Sequence, residues 1–415
     1  MPYIKHPLWD RQIGAGMTVN KAIGGACLLY AMVYLARRRG GVPRFFQTPQ
    51  SVLMMIFIGI ATLSFFTKGE SIGYINPMFM YASSVLLFFL TFVVVDSFKR
   101  LYWCLMAAIG GVGFASLYMI REWQKGIVQW SGNFRPGWIV GDSNYFTVAA
   151  LVTLPLAFEL MMISEKRWQK VYSLGCLCLT MLAIMLGASR GGFLGIVVGL
   201  GYLVFRSQRR RRNLAVISIV IVPFLIFAPN SPVRRLIHPV VGDTASVQKH
   251  LIGWKAGLNM IAHNPLTGVG LGSYKLKVAQ YDTTGEVRRE PHVAHNAYLE
   301  IAAEMGIPAF ILYLVFMASA FFSLGRTRKR ALRNDALELA AVVTGMQAAL
   351  LGVWVAIFFV SAEYTRLFWF LLILTMVVPP LVPARRKPAQ QLPLEQQPEL
   401  VPEGFQIGEA LVELR

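Results

Sequence analysis

Five of the chain's six histidines fall between residues 238 and 295: His238, His250, His263, His292 and His295. Histidine is the side chain whose ordinary titration lies near neutral pH, so such a concentration invites proton-transfer chemistry. His292 and His295 stand in "REPHVAHNAYLEIAAEMGIPAF", residues 289–310, where a polar, charged run turns apolar within a few residues. A histidine placed where a helix enters a membrane can take a proton from a bound hydroxyl. The spacing His-x-x-His is also a weak metal signature. It is not His-Glu-x-x-His and has no cysteine nearby, and nothing in the pattern fixes Glu290, Glu300 or Glu304 as further ligands. No metal and no cofactor are expected.

A general base needs an electrophile held beside it, and the residues that could hold one are cationic. Arg190 lies in "GASRGGFLG" between two apolar runs, next to Ser189, Gly191 and Gly192. An arginine at a membrane edge is costly to place and is usually functional. An interfacial anchor that snorkels to water is the plainer role. The flanking glycines give an anchor no advantage, whereas they let backbone approach a ligand. Arg135 lies in "NFRPGWIVGDSN", with Asp142 and Asn144 at the mouth of the next apolar run. Lys249, His250, Lys255, Arg288 and Arg289 add basic groups in segment 230–305. Guanidinium groups match phosphate oxygens well, often through two parallel hydrogen bonds.

The elements that must position these residues are membrane helices. The chain has 415 residues, 55% hydrophobic and only 15% charged. A soluble chain would carry about a quarter charged residues. A spanning helix needs about 20 mostly apolar residues. Eleven stretches qualify: 17–36, 51–67, 77–96, 101–120, 145–164, 171–188, 191–205, 214–229, 306–324, 337–361 and 367–383. Basic runs follow every second one: "ARRRGGVPR", "FKR", "EKRWQK", "RSQRRRR", "RTRKRALR" and "ARRK". These six hold 22 of the 40 Lys and Arg residues, which explains the net charge of +19 without nucleic acid as a partner. By the positive-inside rule those loops are cytoplasmic and the N-terminus is outside. Segments 121–144 and 230–305, with the histidines and Arg190, then face the periplasm or exterior. The four cysteines lie in apolar runs and read as core residues. No cleavable signal pattern is visible in the first 15 residues.

Segment 230–305 is the one long piece outside the spans. In "HLIGWKAGLNMIAHNP", Leu251, Trp254, Leu258 and Ile261 recur at helical spacing, so a helix can lie on the membrane surface. "GVGLGSY" breaks it with three glycines, and "HNAYLEIAAEMG" resumes a helix. The tail from residue 384 is rich in Pro, Gln and Glu and reads as disordered. Basic residues beside the bilayer on the outer side suit a polyprenyl phosphate or pyrophosphate carrying a group to be transferred. The chain shows no P-loop or dinucleotide fingerprint, so the energy must arrive in the lipid-linked donor.

Three motifs, "GASRGGFLG", "GWKAGLNMIAHNPLTGVGLGSY" and "HNAYLEIAAEMGIPAFILYL", resemble the O-antigen ligase and polymerase superfamily of bacterial inner-membrane proteins. The pair His295–Asn296, followed by Gly306, is similar to that family's histidine motif, and "GDSN" at 141–144 to a weaker element. The resemblance covers about 135–325. It implies an all-α polytopic membrane protein of the C-type glycosyltransferase (GT-C) architecture, divided as 1–134, 135–325, 326–383 and a tail 384–415. It implies transfer of a glycan from an undecaprenyl-pyrophosphate donor to an acceptor hydroxyl, the lipid A–core in the ligases, on the periplasmic face. By carry-over His295 is the base or orients the acceptor, and Arg190 binds the pyrophosphate. Arg135, Lys249, His250, Arg288, Arg289, Asn296 and Asp142 complete the expected substrate site. Two departures stand out. Relatives carry an arginine four residues before the tryptophan of the W-x-A-G element, where this chain has His250, so Lys249, Arg288 or Arg289 must supply the second cation. No spanning helix precedes residue 17, where some relatives have one.

A polymerase joining lipid-linked repeats, or a transferase to protein, would use the same base and cation. The single long outer loop mildly favours a ligase. A transporter of such lipids would be expected to show internal repeats and ionisable residues at mid-membrane. No repeat relates the halves, and Asp96, Glu159 and Glu338 lie near span ends.

Overall fold

The computed structural model describes residues 19–37, 45–68, 77–125, 143–207, 210–227, 243–285, 287 and 291–384. Among these the regular structure is helical throughout, with no strand. The helices are α1 (Val19–Arg37), α2 (Pro49–Lys68), α3 (Pro77–Val94), α4 (Phe98–Gln124), α5 (Ser143–Ile163), α6 (Arg167–Gly187) and α7 (Arg190–Arg206). They continue with α8 (Arg210–Phe227), α9 (Asp243–His263), α10 (Tyr274–Tyr281), α11 (Ala297–Arg333), α12 (Leu337–Ala356) and α13 (Arg366–Val377). Each of the eleven expected spans overlaps one of these helices. Seven are long and apolar enough to cross a membrane: α2 to α6, α11 and α12. α13 and the Gly25–Arg37 part of α1 are apolar but shorter, and α8 opens on a run of arginines.

The expected tenth span is cut short. Helix α12 ends at Ala356, and residues 357–365 form a non-helical connection that reaches the histidine segment. The tail beyond 384, residues 1–18, and loop segments 126–142 and 228–242 lie outside the described residues, as do Arg135, Asp142, His238, Arg288 and Arg289.

Helix α5 is at the centre of the bundle. Its residues from Phe146 to Leu160 are buried almost without interruption, the pattern of a helix enclosed on all sides. Helices α7 and α12 cross beside it at backbone distance. A Cβ on Gly195 would stand 2.5 Å from the Gly352 carbonyl oxygen, so small residues set that crossing. Helix α2 shows a mixed pattern: Met54, Phe57 and Ala61 are buried, while Leu63 and Phe66 are exposed on the side a bilayer would cover.

Helix α11 is bent. Gly306 sits at φ 85°, ψ 169°, and Pro308 follows it. The bend frees backbone groups that lipid could not satisfy, and the segment after α9 takes them up. Val269 and Gly270 donate their N–H groups to the carbonyls of Ala303 and Glu304 (both 2.9 Å), and the Ile307 N–H donates to the Pro265 carbonyl at 2.8 Å. A Cβ on Gly306 would meet the Leu266 carbonyl oxygen at 2.4 Å. Gly306→Ala therefore combines a left-handed backbone, costing about 1–3 kcal/mol, with a collision against main chain. We expect a melting temperature several degrees lower in detergent, whereas Gly59→Ala, which has open space around it, leaves it unchanged. Equal melting of the two variants would show that the bend is not rigid.

Candidate active site at one end of the bundle

Arg190 is placed by a two-residue turn between α6 and α7. Ala188 closes α6 in the left-handed region (φ 48°, ψ 37°). Ser189 then caps α7, its side-chain oxygen accepting the Gly192 N–H at 3.3 Å, and Arg190 is the first helical residue. The glycines beside it serve packing. A Cβ on Gly191 would lie 2.7 Å from the Phe359 side chain, and one on Gly192 2.1 Å from Thr147. The expectation that they leave room for a ligand against the backbone is not met. They bring α7 against α5 and the 357–365 connection instead.

His295 is held by its neighbours on both sides. It has φ 50°, a left-handed backbone that few residues without glycine's freedom adopt. Before it, the Ala294 carbonyl accepts the Trp254 indole N–H at 2.9 Å. After it, Asn296 caps α11, its Oδ1 accepting the Leu299 N–H at 3.1 Å, and the Ala297 N–H donates to the Ile357 carbonyl at 2.9 Å. The Trp254 ring meets Phe358 edge to face, at 5.5 Å between centroids. Three elements thus fix one histidine: α9, the start of α11, and the end of α12.

Two more histidines converge on it. The His250 and His295 rings are 4.8 Å apart. His292 Nε2 lies 3.2 Å from the Lys249 carbonyl. The charges of His295, His292 and Arg190 all act on His250. His263 is separate: its Nδ1 meets the Asn259 carbonyl of its own helix, and its ring packs on Tyr281. The side chain of Lys249 is exposed, and that of Arg190 half-buried.

Burial, then the neighbouring His295, His292 and Arg190 charges, push His250 down from 6.5 to about 4. At neutral pH it is an uncharged imidazole. It cannot replace, as a cation, the arginine expected at its position. A base whose folded pKa is depressed costs nothing above the unfolded value of 6.5. Below that, the unfolded chain binds a proton that the folded chain refuses, so stability falls as pH drops from about 6.5 to about 4. We expect the drop in melting temperature between pH 7 and pH 5 to shrink in His250→Gln, and an unchanged drop would place the acid-sensitive group elsewhere.

Two carboxylates that the sequence left unassigned tie the site together. Glu304 accepts the N–H groups of Gly272 and Tyr274, both at 2.9 Å, and the Tyr364 hydroxyl at 3.1 Å. Glu300 accepts the Ser361 hydroxyl. Both are buried, and together they join α11 to the start of α10 and to the connection after α12. Among the described residues no group of three His, Cys, Asp or Glu side chains is arranged to hold a metal ion. The spacing of Glu300 and Glu304 in an apolar helix was the signal for them; Phe358 and Phe359, inside an apolar run, carried none.

Residues 174–314 match the family model described as O-antigen ligase. This match, over about a third of the chain, supports membership of the O-antigen ligase superfamily. The ligase-family segment runs from within α6 to within α11, and holds Arg190, Lys249, His250, His292, His295 and Asn296. No curated protein matches the chain. The family points to glycosyl transfer of the ligase or polymerase type, and with the apolar helices to lipid-linked glycan substrates. The multiple apolar helices make the protein a multi-pass membrane protein.

Proposed function

We propose that the chain is a metal-independent glycosyltransferase of the O-antigen ligase type. It moves a glycan from undecaprenyl pyrophosphate to a hydroxyl of the lipid A–core. The end of the bundle carrying the histidines, opposite the Lys- and Arg-rich loops, faces the periplasm of a bacterial inner membrane, with the N-terminus outside and the C-terminus in the cytoplasm. The observation that carries this reading is the convergence of Arg190, His250, His292 and His295, all from the ligase-family segment, at that one end.

His295 takes the proton of the acceptor hydroxyl, or holds that hydroxyl in line. The acceptor oxygen bonds to the anomeric carbon, and the carbon–oxygen bond to pyrophosphate breaks. The electron pair leaves with the pyrophosphate, whose growing charge Arg190 meets with a guanidinium fork. Neutral His250 can donate a hydrogen bond there without adding a charge. Asn296 acts on the site by capping α11, which sets the position of His295. Lys249 is the candidate for a second contact to phosphate, and Arg135, Asp142, Arg288 and Arg289, outside the described residues, are proposed as further contacts.

The test is expression in a host strain lacking its own ligase, followed by gel analysis of lipopolysaccharide. A restored glycan ladder on lipid A–core supports the ligase reading. Longer undecaprenyl-linked glycan with no ladder would instead identify a polymerase.

A further inference from the structure

At the other end of the bundle, among the Lys- and Arg-rich connections, lies a cavity of about 260 Å³ that the transfer reaction does not use. Its charged lining is Glu159 of α5, Arg206 of α7, Arg212 of α8, Arg328 of α11 and Glu338 of α12, with Ser207, Asn213 and Thr344 as polar neighbours. Met162, Ile163, Leu332 and Leu337 supply apolar wall. Five helices therefore meet around a space that holds three guanidinium groups.

Those groups are held but not neutralised. Arg328 donates from Nε to Thr344 Oγ1 and from Nη2 to the Arg206 carbonyl, both at 2.9 Å, which fixes its plane. Arg212 leans on Asn213 Oδ1 at 3.4 Å, and the buried Asn213 donates to Ser207 Oγ at 2.9 Å. The Nε of Arg206 is buried with no hydrogen-bond partner. Glu159 is only 6% exposed, and burial disfavours a charged carboxylate there, so it is a poor counter-charge for the arginines. Neither Glu159 nor Glu338 closes a direct ion pair with these arginines. A buried guanidinium N–H such as that of Arg206 is unfavourable without an acceptor, and three like charges lining one space repel, although Arg212 is exposed. An anion with several acceptor oxygens removes both problems, and phosphate matches the fork of arginine.

We propose that this cavity binds one phosphate-bearing anion, at a site separate from the histidines. A water molecule's share of liquid is about 30 Å³, so the space accommodates a phosphate group with its nearest substituents but not a lipid's chains. The apolar wall and the position among basic connections suit the headgroup of an anionic glycerophospholipid from the adjacent leaflet. Free phosphate offers the same oxygens.

The experiment uses the full chain, purified and placed in phosphatidylcholine nanodiscs, with thermal melting as the readout. Phosphatidylglycerol is added to one series and inorganic phosphate to another. We expect phosphatidylglycerol to raise the melting temperature of the wild type and of Arg211→Gln, whose residue does not line the cavity. The double variant Arg206→Gln/Arg212→Gln should need at least tenfold more lipid for the same rise. The variant Arg206→Lys/Arg212→Lys, which keeps both charges, should need less lipid than the Gln double variant for the same rise, a recovery that a misfolded protein could not produce. A rise with inorganic phosphate that shows the same variant pattern keeps the site and makes free phosphate its source. The proposal is overturned if neither ligand stabilises the wild type. It is also overturned if the Arg206→Gln/Arg212→Gln variant responds as Arg211→Gln does.

Discussion

Replacing His295 with alanine is expected to reduce glycan transfer by about 10²–10⁴-fold, the usual contribution of a positioned general base. The protein should remain in the membrane at wild-type level. The backbone needs separate control, because His295 adopts φ 50° and alanine tolerates that region poorly. Asparagine tolerates it well, so His295→Asn removes the base while keeping the turn. If both variants lose activity and melt like the wild type, the imidazole does the chemistry. If His295→Asn keeps most of its rate, the residue only orients the acceptor or shapes the turn. The pH profile separates these further: a base imposes an acid limb on the transfer rate, and a positioning residue with no proton to move does not. That limb cannot come from His250, which stays neutral down to about pH 4.

Much of this arrangement was legible in the sequence because its signals are local. Apolar runs of spanning length and the alternation of basic loops located the helices. His295–Asn296 at the head of an apolar helix, and Arg190 between two others, stood out by type and position. What stayed hidden depends on long-range contact. Periodicity in α9 pointed to a face of Leu251, Trp254, Leu258 and Ile261. The fold buries Ile252, Ala256 and Met260 against the site and leaves Leu251 and Leu258 exposed, as a helix lying along a bilayer would. The helix is apolar on two faces, and spacing alone does not say which one meets protein. Likewise the glycines beside Arg190 looked like room for a ligand, but Phe359, 168 positions from Gly191 in sequence, and Thr147 fill the space. Gly306 stood in the sequence as the start of an apolar span, not as a bend, and the backbone partners of its bend, Pro265, Val269 and Gly270, lie across a helix and loop whose placement no local pattern encodes.

Arg190 is expected to show the second large effect, and two substitutions divide its roles. Arg190→Lys keeps a positive charge but loses the planar fork. If the guanidinium grips the departing pyrophosphate through two hydrogen bonds, the rate of transfer should fall about 10²–10³-fold, the cost of removing one preorganised donor to developing charge. The loss should appear in kcat more than in KM, since that charge grows only as the bond breaks. Arg190→Gln removes the charge as well. It also relieves the smallest of the four influences that hold His250 neutral, so His250 should accept a proton at slightly higher pH in this variant and not in Arg190→Lys. The melting temperature of Arg190→Gln should then fall less between pH 7 and pH 5. Full activity in both variants would reduce Arg190 to an interfacial anchor, its cost in the membrane edge met by water alone. Loss of activity in Arg190→Gln with full activity in Arg190→Lys would keep the charge and reject the fork. Only a loss in both, with the acid response shifted in Arg190→Gln alone, ties one side chain to the leaving group and to the electrostatics of the histidines.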